Sequence, residues 1–181
     1  MLRNDSKGFT LIEIIMGMVI LSIVSAISIK FLVDSLKIYT MTVNQKTLFD
    51  EGKLALERMC RDIRDARSIS APAAGASGSA ITFIRVHGTA WDIANETIIF
   101  RRTGNTLEKD KASPNVTREL ASNVSTFTVS RAASNEITLQ LTLSLGSGEN
   151  VTLQTKVYPK NLADSATYKN FFNNWREELS T

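Results

Sequence analysis

The hydrophobic positions of this 181-residue chain fall into three regimes. Phe9 to Ile29 reads FTLIEIIMGMVILSIVSAISI, an apolar run whose one charge is Glu13. A helix of that length rises roughly 30 Å, the hydrocarbon thickness of a bilayer. From Phe31 the pattern turns amphipathic. Phe31, Leu32, Leu36, Tyr39 and Val43, then Leu48, Ala55, Met59, Ile63 and Ala66, recur mostly three, four or seven residues apart, with Ser, Asn, Gln, Lys, Asp and Arg between them. Such spacing is one apolar stripe of a helix. It predicts a single helix from Phe9 to about Ile69, with 9–30 of membrane-spanning character and 31–69 an amphipathic stalk.

The third regime has period two. After a small-residue linker at 70–79, the segments Ala80–Val86, Glu96–Arg102, Ser125–Arg131, Glu136–Leu145 and Asn150–Tyr158 read as strands. Ile137, Leu139, Leu141, Leu143 and Leu145 share one face, and Gly146-Ser147-Gly148 predicts a hairpin into Val151, Leu153, Thr155 and Val157. Thr103-Gly104-Asn105 reads as a turn into a short strand at Thr106–Glu108, followed by a polar loop to Thr117 and a connector over Arg118–Asn123. The sum is an α+β chain: an antiparallel head over 80–162 whose apolar face is covered by the stalk helix. In the tail, 163–181, Phe171, Phe172, Trp175 and Leu179 fall on one helical face. Two readings stay open there, a short helix that caps the head and an aromatic partner-binding surface.

Composition narrows the chemistry. The 21 Lys+Arg against 18 Asp+Glu leave a net charge of +3, too dispersed for the clustered basic face that nucleic acid requires, so no nucleic-acid partner is expected. One cysteine, Cys60, excludes an internal disulfide and a multi-cysteine zinc site. One histidine, His87, excludes a multi-histidine metal centre and leaves little for a Ser-His-Asp triad. No phosphate-loop, dinucleotide or nucleophile-elbow string occurs. The chain therefore reads as a non-enzyme without a cofactor, with Cys60 a small core hydrophobe and His87 structural. Glu13 needs an explanation, because a carboxylate at membrane depth is costly and normally has a partner. A cleaved secretory signal fits poorly: the apolar run is long and Ser25-Ala26-Ile27 is a poor cleavage site. A plain signal anchor leaves Glu13 without a role. The leader MLRNDSKG carries a net +1, which favours a cytoplasmic N-terminus.

Lys7-Gly8-Phe9-Thr10-Leu11-Ile12-Glu13 resembles, at every position, the N-terminal motif of the type IV prepilin family. The resemblance implies a leader of residues 1–8, cleavage by prepilin peptidase between Gly8 and Phe9, and N-methylation of Phe9. Glu13, four residues on, shares a helix face with that new amine. It would neutralise the amine of a neighbouring subunit and set the axial register during assembly; the alternative is that it snorkels alone. A proline within the helix, common in major pilins, is absent before Pro72.

Glu57 to Ala66 (ERMCRDIRDA) resembles the stalk end of the J-type minor pseudopilins of type II secretion and of PilW-type minor pilins, as does Tyr158-Pro159-Lys160-Asn161 at the close of the head. On the residues alone, Glu57–Arg61, Arg58–Asp62 and Arg61–Asp65 read as i,i+4 pairs on a solvated helix face. The resemblance implies instead that Arg58, Arg61, Asp62 and Arg64 contact the head or a neighbouring subunit. It further implies the pilin fold and a minor structural subunit of a type II secretion pseudopilus. The protein would lie single-pass in a bacterial inner membrane with its head outside the cytoplasm, before joining a filament. Implied partners are the peptidase, other pilins or pseudopilins (I-type and K-type in type II secretion), the inner-membrane assembly platform and the lipid bilayer. The alternatives are a minor pilin of a type IV pilus, or a pilin-anchored module whose head or tail captures a ligand.

Overall fold

The structure, a computed structural model, describes residues 8–112 and 115–162. One helix, α1 (Leu11–Arg64), is followed by nine strands: β1 (Ala66–Ala71), β2 (Ser77–Gly78), β3 (Ala80–Arg85), β4 (Thr97–Thr103), β5 (Thr106–Ala112), β6 (Asn115–Ala121), β7 (Val124–Arg131), β8 (Ile137–Ser144) and β9 (Asn150–Val157). The chain divides into two units, Met1–Val43 and Asn44–Thr181.

In the first unit the described residues are helical from Leu11, and the apolar side chains are exposed along its length. The stretch is long and apolar enough to cross a membrane. Its hydroxyls are closed internally. Ser22, Ser25, Ser28 and Ser35 donate to the carbonyls of Val19, Leu21, Val24 and Phe31 at 2.7–2.9 Å. Polar groups paired within one helix avoid the penalty of unpaired ones in hydrocarbon.

The second unit holds the end of α1 and two antiparallel sheets, in the orders β1-β3-β4-β5-β6 and β2-β7-β8-β9. Of the predicted stripe, Leu48, Ala55, Met59 and Ile63 are buried, with Leu56 beside them, whereas Phe31, Leu32, Leu36, Tyr39 and Val43 are exposed. Beneath them lie Ile81, Phe83, Ile98 and Phe100 of the larger sheet, and Ile137, Leu139, Leu141 and Leu143 of the smaller one, all fully buried. The Phe83 and Phe100 rings meet at 5.6 Å. Gly52 lets α1 approach the smaller sheet closely, since a Cβ there would stand 2.7 Å from a Leu143 methyl and 2.8 Å from a Leu153 methyl. Gly104, at φ +60°, opens the two-residue turn between β4 and β5.

Three features differ from the sequence pattern. The helix stops at Arg64, five residues short of Ile69, and Ala66–Ala71 pairs with β3 instead. No glycine or proline stops it. The Arg64 carbonyl accepts from Lys160 N at 2.9 Å, the Asp65 carbonyl accepts from Val86 N at 3.0 Å, and the chain is captured by the sheet. Residues 70–79 are not a bare linker, for they include the end of β1 and the short β2, which pairs with β7. The head is two sheets, and what reads as a polar loop and a connector contributes most of β5 and all of β6.

Candidate functional site

At the N-terminus the helix is started by Thr10. Its hydroxyl accepts from the Glu13 backbone N–H at 3.3 Å, while a Glu13 carboxylate oxygen accepts from the Thr10 N–H and hydroxyl at 3.0 Å each. This is a reciprocal capping box, T-x-x-E, which fixes the first helical residue at Leu11. Gly8 and Phe9 therefore lie outside the helix, and Phe9 is 84% exposed. The peptide bond between them is accessible and non-helical. The sequence carried this signal in Thr10 and Glu13 three residues apart, and the reading of Glu13 as an inter-subunit partner passed over it.

The second constellation surrounds the end of α1. Asp62 and Asp65 do not pair with arginines one turn away. Asp62 Oδ2 accepts from Lys109 Nζ at 2.8 Å and Asp62 Oδ1 from Arg85 Nη1 at 3.4 Å. Asp65 takes Arg85 Nε at 3.3 Å, the His87 N–H at 2.9 Å and the His87 ring Nδ1 at 2.6 Å. The i,i+4 pairs Arg58–Asp62 and Arg61–Asp65 are thus absent, because each carboxylate is turned toward strand cations; of the intrahelical ion pairs among the described residues, Lys53–Glu57, at 3.9 Å, is formed and Glu57–Arg61 is not.

Asp92, on the β3–β4 loop, joins the same cluster. It faces Arg85 Nη1 at 2.6 Å, Lys109 Nζ at 2.8 Å and Lys111 Nζ at 2.6 Å, with its side chain 6% exposed. Burial pushes the Asp92 carboxyl up, but hydrogen bonds and charge from Lys109 and Lys111 outweigh it and hold the pKa at about 2. Asp65 behaves alike: burial raises it, and hydrogen bonds from the His87 ring, the His87 N–H and Arg85 bring it below the usual carboxylate range. Glu96 lies 3.7 Å from Lys111 and accepts from Ile93 N at 3.1 Å, leaving Glu96 Oε1 buried without a hydrogen bond among the described residues. Four carboxylates (Asp62, Asp65, Asp92, Glu96) thus enclose three strand cations (Arg85, Lys109, Lys111) and tie the helix end to β3, β5 and the β3–β4 loop.

Arg58, Arg61 and Arg64 remain exposed, with no ion pair to any described residue. Arg58 and Arg61 line a cleft of about 630 Å³ together with Asp62, Trp91, Asp92, Lys109, Arg118 and Glu119. Arg64 lies instead, with Arg61, on a groove of about 520 Å³ between α1 and β9. Cys60 borders that groove, half-buried, its Sγ 3.9 Å from the Thr155 hydroxyl; burial pushes its thiol up, as befits an inert core cysteine. Arg85, Trp91, Asp92, Lys109, Lys111 and Arg118 carry no local motif and were invisible in sequence; the fold alone brings them to the helix end. Phe171, Phe172 and Trp175 lie outside the described residues, as does the leader before Gly8.

Residues 3–29 match the family model of the prokaryotic N-terminal methylation motif. That match, over a helix long and apolar enough to cross a membrane, supports a type IV pilin-like prepilin, a structural pilin rather than an enzyme. The motif implies processing by prepilin peptidase and association with other pilins. No curated protein and no solved structure matches the chain.

Proposed function

We propose that the protein is a minor pilin-like structural subunit of a type II secretion pseudopilus, cut after Gly8, methylated on Phe9 and assembled through Glu13. The observation that carries this reading is the N-terminal geometry. The Gly8–Phe9 bond lies just outside a capped helix start, on a segment matching the methylation motif, ahead of a helix of membrane length. After cleavage the Phe9 amine is a positive charge four residues ahead of the Glu13 carboxylate. Joined between neighbouring subunits, the two cost less in an apolar filament core than either alone. The charged N-terminus faces the cytoplasm and the head lies outside it.

The experiment is a crosslinked pull-down of the tagged protein from native membranes, read by mass spectrometry. The mature N-terminal peptide begins at methylated Phe9, and pseudopilins with the secretion platform copurify. An uncut Met1 terminus refutes the prepilin reading. Copurification of a major pilin supports a type IV pilus instead, the reading that the same motif equally favours. Glu13→Leu is inserted and cleaved but is absent from filaments by immunogold labelling; incorporation at the wild-type level overturns the neutralisation argument.

A further inference from the structure

We propose that the cleft between the end of α1 and the β3–β4 loop binds an acidic, extended polypeptide segment of a partner protein, its carboxylates on Arg58, Arg61 and Arg118 and an apolar side chain against Trp91.

Three observations converge. First, the arginines lack counter-ions because the fold has taken them: Asp62 and Asp65 are committed to Arg85, Lys109 and His87. Exposed guanidiniums at a cleft are strong, bidentate receptors for carboxylates. Second, Trp91 is 70% exposed on a loop that is pinned. Lys111 Nζ donates to its carbonyl, its N–H donates to the Thr89 hydroxyl at 3.3 Å, and the next residue is the buried Asp92. A large aromatic held rigid before binding loses little entropy on contact, which is the character of an interface anchor. Third, Arg118 stacks on that indole at 5.0 Å and sits directly across from Lys109 in the β5–β6 register. Facing like charges repel. Lys109 is compensated by Asp62 and Asp92, whereas Arg118 has no carboxylate among the described residues, so an incoming one relieves the repulsion.

Peptide fits this cleft better than nucleic acid. One indole is a poor stacking platform for successive bases, and the three unpaired cations, Arg58, Arg61 and Arg118, are too few for a backbone track. At about 630 Å³ the cleft is in the range of ordinary ligand sites and admits a few side chains.

The test uses the full-length protein in detergent micelles, with fluorescence anisotropy of a labelled, end-blocked octapeptide alternating Glu and Leu. Controls are its Gln-for-Glu counterpart, an eight-nucleotide oligothymidylate and empty micelles. The acidic peptide binds and weakens with added salt, and the Gln peptide does not bind. Arg58→Ala with Arg61→Ala reduces affinity at least tenfold, and Trp91→Ala at least fivefold. Arg64→Ala, on the same helix but outside this cleft, leaves it unchanged. These side chains are exposed, so the variants keep the fold, checked by circular dichroism. No binding up to roughly 1 mM, equal binding of the Gln peptide or the oligonucleotide, or equal loss in Arg64→Ala overturns the proposal. None of these readouts depends on cleavage or filament entry, so its failure is separate from failure of the prepilin reading.

Discussion

Asp92 receives three cations on one carboxylate while nearly sealed from water. Removing one member of such a cluster leaves buried charge uncompensated, which costs far more than the pair contributes when intact. Asp92→Asn is expected to destabilise the head by about 3–5 kcal/mol, read as a lower urea midpoint of the full-length protein in micelles. Glu57→Gln, whose ion pair is with the exposed Lys53, is expected to change it by less than about 0.5 kcal/mol. A comparable shift for both would mean that the cluster does not hold the helix end. Charge density in ERMCRDIRDA was legible in the sequence; which partner each charge chose was not. Arg58, Asp62 and Arg61, Asp65 have ideal intrahelical spacing, yet Arg85 and Lys109, 23 and 47 residues away from Asp62, compete from inside and win. The interior favours that choice because Coulombic attraction strengthens where water is excluded.

Among the elements, α1 and β8 were readable because a single apolar period serves a single buried face. The strand β6 was not, and of β5 only Thr106–Glu108 was. The buried face of β5 carries Lys109 and Lys111, so TLEKDKA looks solvated although both lysines are buried against acids from distant segments. Residues Ala66 and Ile69 continue the helical stripe in sequence, and both are buried, but on strand β1 instead of α1. Periodicity tells which residues go inside and leaves open which backbone takes them there. Gly52 shows the reverse: a residue that weakens a helix by propensity is required by packing. Gly52→Ile would drive a branched side chain into Leu143 and Leu153. It is expected to cost about 1–3 kcal/mol, seen as a lower thermal midpoint of the head; an unchanged or higher midpoint would show that the helix can stand off the sheet without loss.

For the molecule as a whole, the clustered carboxylates set the response to acid. Asp92, at about 2, and Asp65 titrate below ordinary aspartates. The folded state thus binds fewer protons than the unfolded one as the pH falls through the ordinary aspartate range. Their contribution is fully present above that range and is lost as the pH drops toward 2. The urea midpoint should fall steeply from about pH 4 to 2, with Asp92→Asn flattening that acid limb. An unaltered limb in that variant would place the acid sensitivity elsewhere.

The serines of the apolar run, bonded to carbonyls of their own helix, have a further consequence. A helix that has already closed its polar groups treats hydrocarbon and packed protein as nearly equivalent solvents. Transfer from a bilayer into a filament would then exchange dispersion contacts with acyl chains for dispersion contacts with neighbours, breaking no hydrogen bond on the way. In the proposed assembly such a helix would be miscible with either phase, and the decision to leave the membrane would fall on its charged end and on the head.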